Sequence, residues 1–390
     1  MGQTLTEIAE ELQKSTKRVQ LIYAFNGIGK TRLSRELKEL IDPKDKRDEK
    51  SKIKFLYYNA YTEDLFYWDN DLDTDKNRKL MIRPNGFTEL ALNFLKDQGQ
   101  DKNIGSNFQR YTNDKLTPNF NEQYTIKDKD GKEQTIRAYS EITFSIEGGN
   151  EQKVENIKIS KGEESNLIWC IFYSLLEQIV ETLNEDDLTN RATQDFNDLE
   201  YVFIDDPVSS LDDNHLIELA VNIAELVKTS TSNVHYIITT HNPLFYNVLF
   251  NEFENDVEKK YDSKRDSDKK RLEKLDDGTY ALINSTDTPF SYHLFLLTEI
   301  EKAIKSGDIQ KYHFNFMRNI LEKTCTFLGY RKWKKLLPDG DRKEYYNRII
   351  NLYSHNKHHG EEIQPITEEA KTALKELVDI LKTTYHFRQP

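Results

Sequence analysis

The sequence contains few cysteines and no long hydrophobic run. Its two cysteines, Cys170 and Cys325, lie in separate apolar segments without the spacing of a metal-binding or redox motif. We therefore expect buried thiols in a reducing compartment. No window contains the ~18 uncharged apolar residues that a membrane span requires, and the first twenty residues carry six charged side chains instead of a secretory signal. These absences argue against a membrane-spanning or exported protein and predict a cytoplasmic one.

The chain also has fewer basic than acidic residues. The chain has 55 Lys and Arg against 67 Asp and Glu, a net charge of −12, which argues against a protein that coats nucleic acid nonspecifically. The deficit is uneven, because residues 281–390 carry 17 basic against 14 acidic side chains. The basic surplus therefore lies at the C-terminal end of an otherwise acidic chain.

The length of 390 residues predicts two or three domains. Over residues 1–255, apolar strands alternate with amphipathic helices, which is typical of a parallel α/β sheet. A charged stretch over residues 62–155 interrupts the alternation and predicts an insertion or arm. Residues 256–280 are rich in Lys, Asp and Glu and predict a solvated linker. Apolar residues at helical spacing then predict an all-helical domain over residues 281–390.

A phosphate-binding loop is predicted between the apolar strand Val19–Tyr23 and the helix that follows it. The small residues that let backbone N–H groups turn toward phosphate occur in the sequence Ala24-Phe25-Asn26-Gly27-Ile28-Gly29-Lys30-Thr31. We expect Asn26, Gly27 and Gly29 to form the cradle. Lys30 is expected to contact the β and γ phosphates, and Thr31 to bind Mg²⁺.

Two later strands end in residues suited to nucleotide hydrolysis. The strand Tyr201–Ile204 runs into two carboxylates, of which Asp205 is expected to bind Mg²⁺ and Asp206 to polarise the attacking water. The next strand ends at His241, where a histidine can contact a γ-phosphate. These positions join the phosphate loop in one predicted NTPase site.

Further nucleotide contacts are predicted at Ser160, Gly162 and Glu163, which open a helix, and at Asp212. In this order the motifs resemble the ATP-binding cassette (ABC) ATPases, specifically the branch related to chromosome-maintenance and double-strand-break-repair proteins, over about residues 18–250. The resemblance implies Mg²⁺ with ATP or GTP and a head-to-tail dimer, in which Ser160 and Gly162 of one subunit cap the nucleotide of the other. Glu163 stands at the usual Gln position of the signature, and Asp206 stands at the usual catalytic Glu position, which implies slow hydrolysis.

Two helices of the C-terminal domain carry candidates for RNA cleavage. Arg318 and Glu322, four residues apart, project from one helix face, as do Arg348 and His355 on a later helix. Arg, Glu and His can together supply the cation, acid and base for cleavage through the ribose 2′-OH without a metal ion. Taken alone, Arg318 and Glu322 are also compatible with a surface ion pair, and the helix of Arg348 and His355 with a basic, solvated helix end. The histidine-rich segment over residues 355–359 is also compatible with a metal site.

At this point nearly the whole chain resembles one family, the PrrC-type anticodon nucleases, in which a cassette NTPase controls a C-terminal ribonuclease. Besides the NTPase motifs, the resemblance rests on the segments Tyr57–Asp71 and Ser291–Leu294. It rests equally on Arg318, Glu322 and His355, which match the family's nuclease triad. The implied fold is an α/β ABC-type P-loop NTPase head with an inserted arm, followed by an all-helical, HEPN-like nuclease domain.

The resemblance also implies a substrate and a mode of control. The substrate is a lysine tRNA cut at the wobble position, which leaves a 2′,3′-cyclic phosphate and a 5′-OH. The control involves a homodimer or larger homo-oligomer, silencing by a type I restriction-modification complex, a phage-derived activator and dTTP as a stabilising ligand, in anti-phage defence. Asp287 is a candidate contact to the anticodon base, and Arg348, whose spacing from His355 resembles the HEPN motif, is a candidate for RNA binding.

Two other functions are compatible with parts of the sequence. A chromosome-maintenance-like DNA-repair ATPase without nuclease activity would share the NTPase motifs, but 390 residues leave no room for the long coiled coil that such proteins use. The ATPase subunit of a transporter would need a membrane partner and a coupling glutamine, and the sequence offers no clear candidate for that residue.

Overall fold

The computed structural model describes residues 2–43, 52–74, 76–127, 131–147, 153–207, 211–285, 292–338, 340, 342–354 and 365–387. The chain divides into two compact units, Met1–Pro289 and Phe290–Pro390. The described helices are α1 (Leu5–Lys14), α2 (Lys30–Ile41), α3 (Gly86–Asp97), α4 (Asp101–Tyr111), α5 (Lys161–Leu183), α6 (Asp213–Thr229), α7 (Pro243–Glu252), α8 (Ser263–Asp266), α9 (Tyr292–Ser306), α10 (Lys311–Phe327), α11 (Arg342–Ser354) and α12 (Glu368–Thr384). The described strands are β1 (Val19–Tyr23), β2 (Phe55–Tyr58), β3 (Phe66–Asp69), β4 (Lys79–Ile82), β5 (Leu116–Phe120), β6 (Tyr124–Lys127), β7 (Glu133–Ile136), β8 (Glu141–Glu147), β9 (Lys153–Glu155), β10 (Tyr201–Asp205), β11 (His235–Thr240), β12 (Ser267–Lys274) and β13 (Tyr280–Asn284).

The first unit is built on a six-stranded sheet with the strand order β13-β12-β1-β11-β10-β2. Neighbouring strands from β12 to β2 pair in parallel, and β13 closes one edge in antiparallel pairing. Every residue of β1 and β10 is buried, which explains why these strands are almost continuously apolar. The predicted parallel α/β sheet is confirmed.

Helices α1 and α2 share a hydrophobic core with one face of this sheet. Leu33, Leu37 and Ile41 recur at four-residue spacing along α2 and are buried against Ile22 of β1 and Phe203 of β10. Their burial fixes α2 directly behind β1, so that the short connection between them is held in place at the carboxyl end of the sheet.

The predicted insertion, residues 62–155, has its own secondary structure. Its main sheet is antiparallel, with the strand order β3-β4-β8-β5 and β9 paired to β8. A separate hairpin joins β6 and β7, and helices α3 and α4 lie between β4 and β5 in the chain.

The structure differs from the linker predicted over residues 256–280. This stretch contains β12, which pairs with β1 in the interior of the sheet. Two of its lysines are buried but paired, because Lys269 contacts Glu254 and Lys270 lies 3.0 Å from Glu11. Partner carboxylates offset the desolvation of these charges, so a charged sequence forms a sheet strand. β13 also belongs to the first unit, whereas the helical domain was predicted to begin at residue 281.

The second unit is helical in the described residues, as predicted. Helices α9 to α12 enclose one apolar core that includes Phe314 and Met317 of α10, Ile350 of α11 and Leu377 of α12. These side chains recur at helical spacing on each helix, and this spacing is the pattern from which the sequence predicted helices.

Both cysteines are buried and free, as expected, and burial raises the pKa of each thiol. Among the described residues, none of the helices combines the length and the hydrophobicity that crossing a membrane would require.

Candidate functional site

The loop between β1 and α2 has the backbone of a phosphate cradle. Gly27 and Gly29 have φ values of +81° and +118°, in the left-handed region that glycine adopts without steric cost. A Cβ atom at Gly29 would also lie 3.4 Å from Leu5 and 3.6 Å from the Tyr280 hydroxyl. The loop ends at the N-terminus of α2, where unpaired N–H groups and the helix dipole favour an anion.

Lys30 begins α2, and its side chain lies inside this loop. Its Nζ donates to the Ala24 carbonyl at 3.3 Å and to Asn26 Oδ1 at 3.2 Å. The same Nζ lies 3.1 Å from Asp206 Oδ2. Only 7% of Lys30 is exposed, so its charge is held at the loop by three oxygen atoms. The structure thus brings together Lys30, Asn26 and Asp206, as the sequence predicted.

Thr31 and Asp205 form a second pair at this edge of the sheet. The Thr31 hydroxyl donates to Asp205 Oδ2 at 2.7 Å, and the Thr239 hydroxyl donates to Asp205 Oδ1 at 2.6 Å. Burial nevertheless raises the pKa of Asp205 above its ordinary value, because desolvation outweighs these hydrogen bonds. A buried carboxylate beside a hydroxyl is a donor set that suits Mg²⁺, whose charge would offset this desolvation.

Asp206 is the centre of a hydrogen-bond network. Its Oδ1 accepts from the Thr240 hydroxyl and from the His241 backbone N–H, both at 3.0 Å, and its Oδ2 lies 2.6 Å from His241 Nδ1. Burial by itself would raise the pKa of Asp206, but the His241 hydrogen bonds and the Lys30 charge together hold it below its ordinary value. Asp206 is therefore an ionised carboxylate that joins the phosphate loop to the end of β11.

The backbone of Asp206 is also unusual, since its φ is +53°. Asp and Asn tolerate this left-handed conformation better than most residues, because their short polar side chains hydrogen-bond locally. The turn directs the carboxylate back toward Lys30 and His241.

The other predicted nucleotide contacts lie at helix N-termini. Ser160 is the N-cap of α5, where its hydroxyl accepts from the Glu163 N–H at 3.3 Å and Glu163 Oε2 accepts from the Ser160 N–H at 2.7 Å. Gly162 lies in the first turn of the same helix. Asp212 is the N-cap of α6 and accepts from the His215 N–H at 3.0 Å, which holds its pKa below the ordinary value. These contacts give Ser160, Glu163 and Asp212 a capping role. A role of these three residues and of Gly162 in nucleotide binding stays a prediction.

Sequence reasoning missed several polar residues of this site. Besides Thr239 and Thr240, the Tyr57 hydroxyl contacts Ser34 on α2 and accepts from Asn59 Nδ2 at 2.8 Å. Burial raises the pKa of Tyr57 to about 12. Their position in the sequence could have identified Tyr57, Thr239 and Thr240, which lie at the carboxyl ends of β2 and β11. The carboxyl ends of parallel strands meet at one edge of a sheet, where the site lies.

The helical unit contains the Arg318–Glu322 pair. Arg318 Nε donates to Glu322 Oε1 at 2.8 Å along α10. Its NH1 group donates across to α11, to Asn351 Oδ1 at 3.3 Å and Ser354 Oγ at 3.2 Å. Asn351 in turn donates to Asn347 at 3.1 Å. The spacing of Asn347, Asn351 and Ser354 along one helix face was the signal that could have identified these partners.

The remaining nuclease candidates differ in what the structure shows. Arg348 is exposed on α11. His355 and Asp287 lie outside the described residues, although His355 directly follows Ser354, whose hydroxyl contacts Arg318. Arg318 and Glu322 also line a pocket that carries Arg331, Lys332 and Lys334.

Comparison with known proteins identifies the family. A protein-family model described as an AAA domain matches residues 129–385. The curated Anticodon nuclease of Escherichia coli is 48% identical over 417 aligned residues, which cover 100% of this chain and 98% of that protein. The chain belongs to the PrrC-type anticodon nucleases. This membership confirms the resemblance found in the sequence, and the family match and loop geometry establish a P-loop NTPase unit that binds nucleotide.

Solved structures give much weaker similarities. An SMC head bound to the C-terminal winged-helix domain of ScpA is 12% identical with a TM-score of 0.31, covering 69% of this chain and 90% of that chain. The SMC head domain from Thermotoga maritima is 11% identical with a TM-score of 0.25, covering 68% and 90%. Scores this low do not establish a shared fold, so the NTPase assignment for this anticodon nuclease family member rests on its own loop and on its family.

Proposed function

We propose that this protein is an NTP-regulated, metal-independent endoribonuclease that cleaves a tRNA anticodon loop. The proposed cut lies 5′ of the wobble base of a lysine tRNA and leaves a 2′,3′-cyclic phosphate and a 5′-OH. The observation that carries the proposal is the position of the Arg318 side chain. Glu322 contacts it along α10, and Asn351 and Ser354 contact it from α11. Ser354 directly precedes His355 in the sequence. The name of the relative from E. coli, Anticodon nuclease, supports an anticodon as the site of cleavage.

The proposed chemistry is attack of a ribose 2′-oxygen on the adjacent phosphorus. A base removes the 2′-OH proton, the bond from phosphorus to the 5′-oxygen breaks, and an acid protonates that oxygen. Glu322 and His355 share these two roles. Arg318 stabilises the extra negative charge of the phosphorane, because its guanidinium presents several N–H donors in a fixed plane.

In the NTPase unit, Lys30 would contact the β and γ phosphates of ATP or GTP, and Thr31 with Asp205 would hold Mg²⁺. A bound Mg²⁺ would supply positive charge against the phosphate oxygens. Asp206, ionised and fixed by His241, would orient and deprotonate the attacking water. Ser160, Gly162, Glu163 and Asp212 would complete the site across a homodimer or larger homo-oligomer, with dTTP as a further stabilising ligand.

The proposed setting is anti-phage defence in the cytoplasm. There the nuclease would be held silent by a type I restriction-modification complex and released by a phage-derived activator. Nucleotide binding at the first unit would then set the activity of the second.

Expression of wild type and His355→Ala, followed by mapping of tRNA ends, tests the nuclease. We expect a break in one anticodon loop with a cyclic phosphate end in wild type, and no break in His355→Ala, whose NTP hydrolysis stays intact. His386→Ala changes an exposed histidine of the same unit and serves as the matched control. A second pair compares Arg318→Ala with Arg342→Ala, because Arg342 forms a similar ion pair with Glu376 elsewhere in that unit.

The assay is repeated with purified protein, Mg²⁺, GTP and dTTP, so that silencing in the cell is not mistaken for inactivity. Intact tRNA under these conditions, or equal cleavage by wild type and His355→Ala, would contradict the proposal. Intact tRNA together with robust NTP hydrolysis would favour the repair-type ATPase instead.

A further inference from the structure

Two aromatic residues, Tyr330 and Trp333, line the pocket beside the Arg318–Glu322 pair, and of these Trp333 is buried. Tyr330 lines this pocket together with Arg318, Glu322 and Asn347, and 48% of Tyr330 is exposed. A half-exposed tyrosine ring next to groups proposed to cut RNA is a surface on which a nucleobase can stack, since every base has a π-face.

The position of Tyr330 is fixed by the end of α10. Gly329 has a φ of +76°, which turns the chain sharply after the helix. The Tyr330 N–H then donates to the Cys325 carbonyl at 2.9 Å, and Cys325 Sγ donates to the Tyr330 carbonyl at 3.0 Å. The backbone under the ring is therefore tied to the same helix that carries Arg318 and Glu322. A platform ordered in advance loses little conformational entropy when a base stacks on it.

The two residues that follow Tyr330 in the sequence are basic. Arg331 and Lys332 are exposed and line the same pocket, and in the part of the chain that the structure describes neither has a carboxylate within ion-pair distance. Lys334, by contrast, lies 3.2 Å from Glu344. Aromatic and cationic side chains side by side are typical of sites that bind single-stranded nucleic acid.

The chemistry of the proposed reaction calls for such a platform. Attack by the 2′-oxygen requires that oxygen, the phosphorus and the leaving 5′-oxygen to lie nearly in line. A regularly stacked strand does not hold its backbone in this arrangement, so a base beside the scissile phosphate has to leave the stack. Stacking on a protein ring replaces the interaction that this base gives up.

We propose that Tyr330 is the stacking platform for an unpaired base next to the scissile phosphate, and that Arg331 and Lys332 bind the neighbouring phosphates. The ligand class is single-stranded RNA of a loop, read by the face of its base and not by its hydrogen-bonding edge. This inference rests on the proposed function and adds a substrate contact to it.

Binding and cleavage are measured separately to test the platform. An anticodon stem-loop with a 2′-deoxy sugar on the 5′ side of the cut lacks the nucleophile, so its affinity for the full-length protein can be measured by fluorescence anisotropy. We expect Tyr330→Ala to weaken binding about tenfold or more. Tyr330→Phe keeps the ring and is expected to bind like wild type. Phe327→Ala is the matched control, because Phe327 is 90% exposed on the same helix end but does not line the pocket.

Stem-loops that lack a single base identify the nucleotide that stacks on Tyr330. Stem-loops that lack the base on one or the other side of the scissile phosphate are compared with the complete loop. For one of them, wild type and Tyr330→Ala should bind equally, because the partner of the ring is already missing. A general loss of folding in Tyr330→Ala would instead weaken every substrate alike.

Four results would overturn the inference: no binding by wild type, equal binding by wild type and Tyr330→Ala, equal losses in Tyr330→Ala and Tyr330→Phe, or the same loss in Phe327→Ala. The proposed function is judged independently by cleavage of the all-ribose stem-loop. Binding through Tyr330 without cleavage would reject the nuclease and keep only Tyr330 as a base-stacking residue for loop RNA. Cleavage without a Tyr330 effect would keep the nuclease and reject the platform.

Discussion

Replacing Asp206 by asparagine should separate nucleotide binding from hydrolysis. Asparagine has nearly the same shape and keeps an oxygen for the Thr240 hydroxyl and the His241 N–H. It places an amide NH₂ where Oδ2 now lies 3.1 Å from Lys30 Nζ and 2.6 Å from His241 Nδ1. Hydrogen bonds to charged groups each contribute about 1.5–3 kcal/mol. We therefore expect the free energy of unfolding to fall by about 2–4 kcal/mol.

The same change should strengthen nucleotide binding. Lys30 contacts Asp206 in the described structure, and a phosphate group competes with this contact for the ammonium charge. Without the carboxylate, the loop also loses a negative charge that opposes the phosphates. We expect affinity for a non-hydrolysable NTP analogue, measured by calorimetry, to rise about tenfold. Hydrolysis should fall by about 100-fold or more, because an amide cannot accept the proton of the attacking water.

Asp206→Ala serves as the companion variant. Alanine lacks the local hydrogen bonds that make φ = +53° tolerable, so it should be less stable than the asparagine variant by about 1–2 kcal/mol in urea denaturation. Weaker nucleotide binding by Asp206→Asn, or undiminished hydrolysis, would refute the assigned role of this carboxylate. Equal stability of the two variants would refute the backbone argument.

The pH dependence of the free energy of unfolding tests whether the negative charge of Asp206 stabilises the protein. The pKa of Asp206 is lowered from its ordinary value of 3.8, so its contribution to stability is present above that pH and is lost as the pH falls through the folded-state value. The difference in unfolding free energy between wild type and Asp206→Asn should therefore shrink below about pH 4. A difference that stays constant into acid would show that the carboxylate charge is not responsible.

Three further changes test other contacts. Thr239→Val removes a hydrogen bond that lowers the pKa of Asp205, so the midpoint for Mg²⁺-dependent nucleotide binding should move to higher pH; an unmoved midpoint would rule out this coupling. Ser160→Ala should lower the unfolding free energy by about 1 kcal/mol through loss of the cap, and unchanged NTP-dependent dimerisation would restrict Ser160 to that structural role. Asn351→Ala should reduce RNA cleavage about 10-fold through kcat, with KM and NTP hydrolysis unchanged, because it releases one contact on Arg318; a change in KM alone would point to RNA binding instead.

The central strands and the phosphate loop could be predicted from the sequence alone. β1, β10 and β11 are short apolar runs between turn residues, and the loop needs glycines at positive φ, so both signals lie within a few neighbouring residues. The start of a helix at Ser160 to Glu163 was also predicted, and the structure shows that these two residues form the capping box of α5. The helices of the second unit were likewise predictable from the spacing of their apolar residues.

Which residues pair across long distances in the sequence is known only from the folded structure. β12 is charged and reads as a linker, yet Lys270 meets a carboxylate 259 residues away, and this partner allows the strand to be buried beside β1. Asp206 and Lys30 meet because parallel strands place their carboxyl ends at one edge of the sheet. Arg318 donates a hydrogen bond to Asn351 because α10 packs against α11. Local patterns report the conformation of the backbone, whereas the environment of a charge depends on which distant groups the fold brings to it.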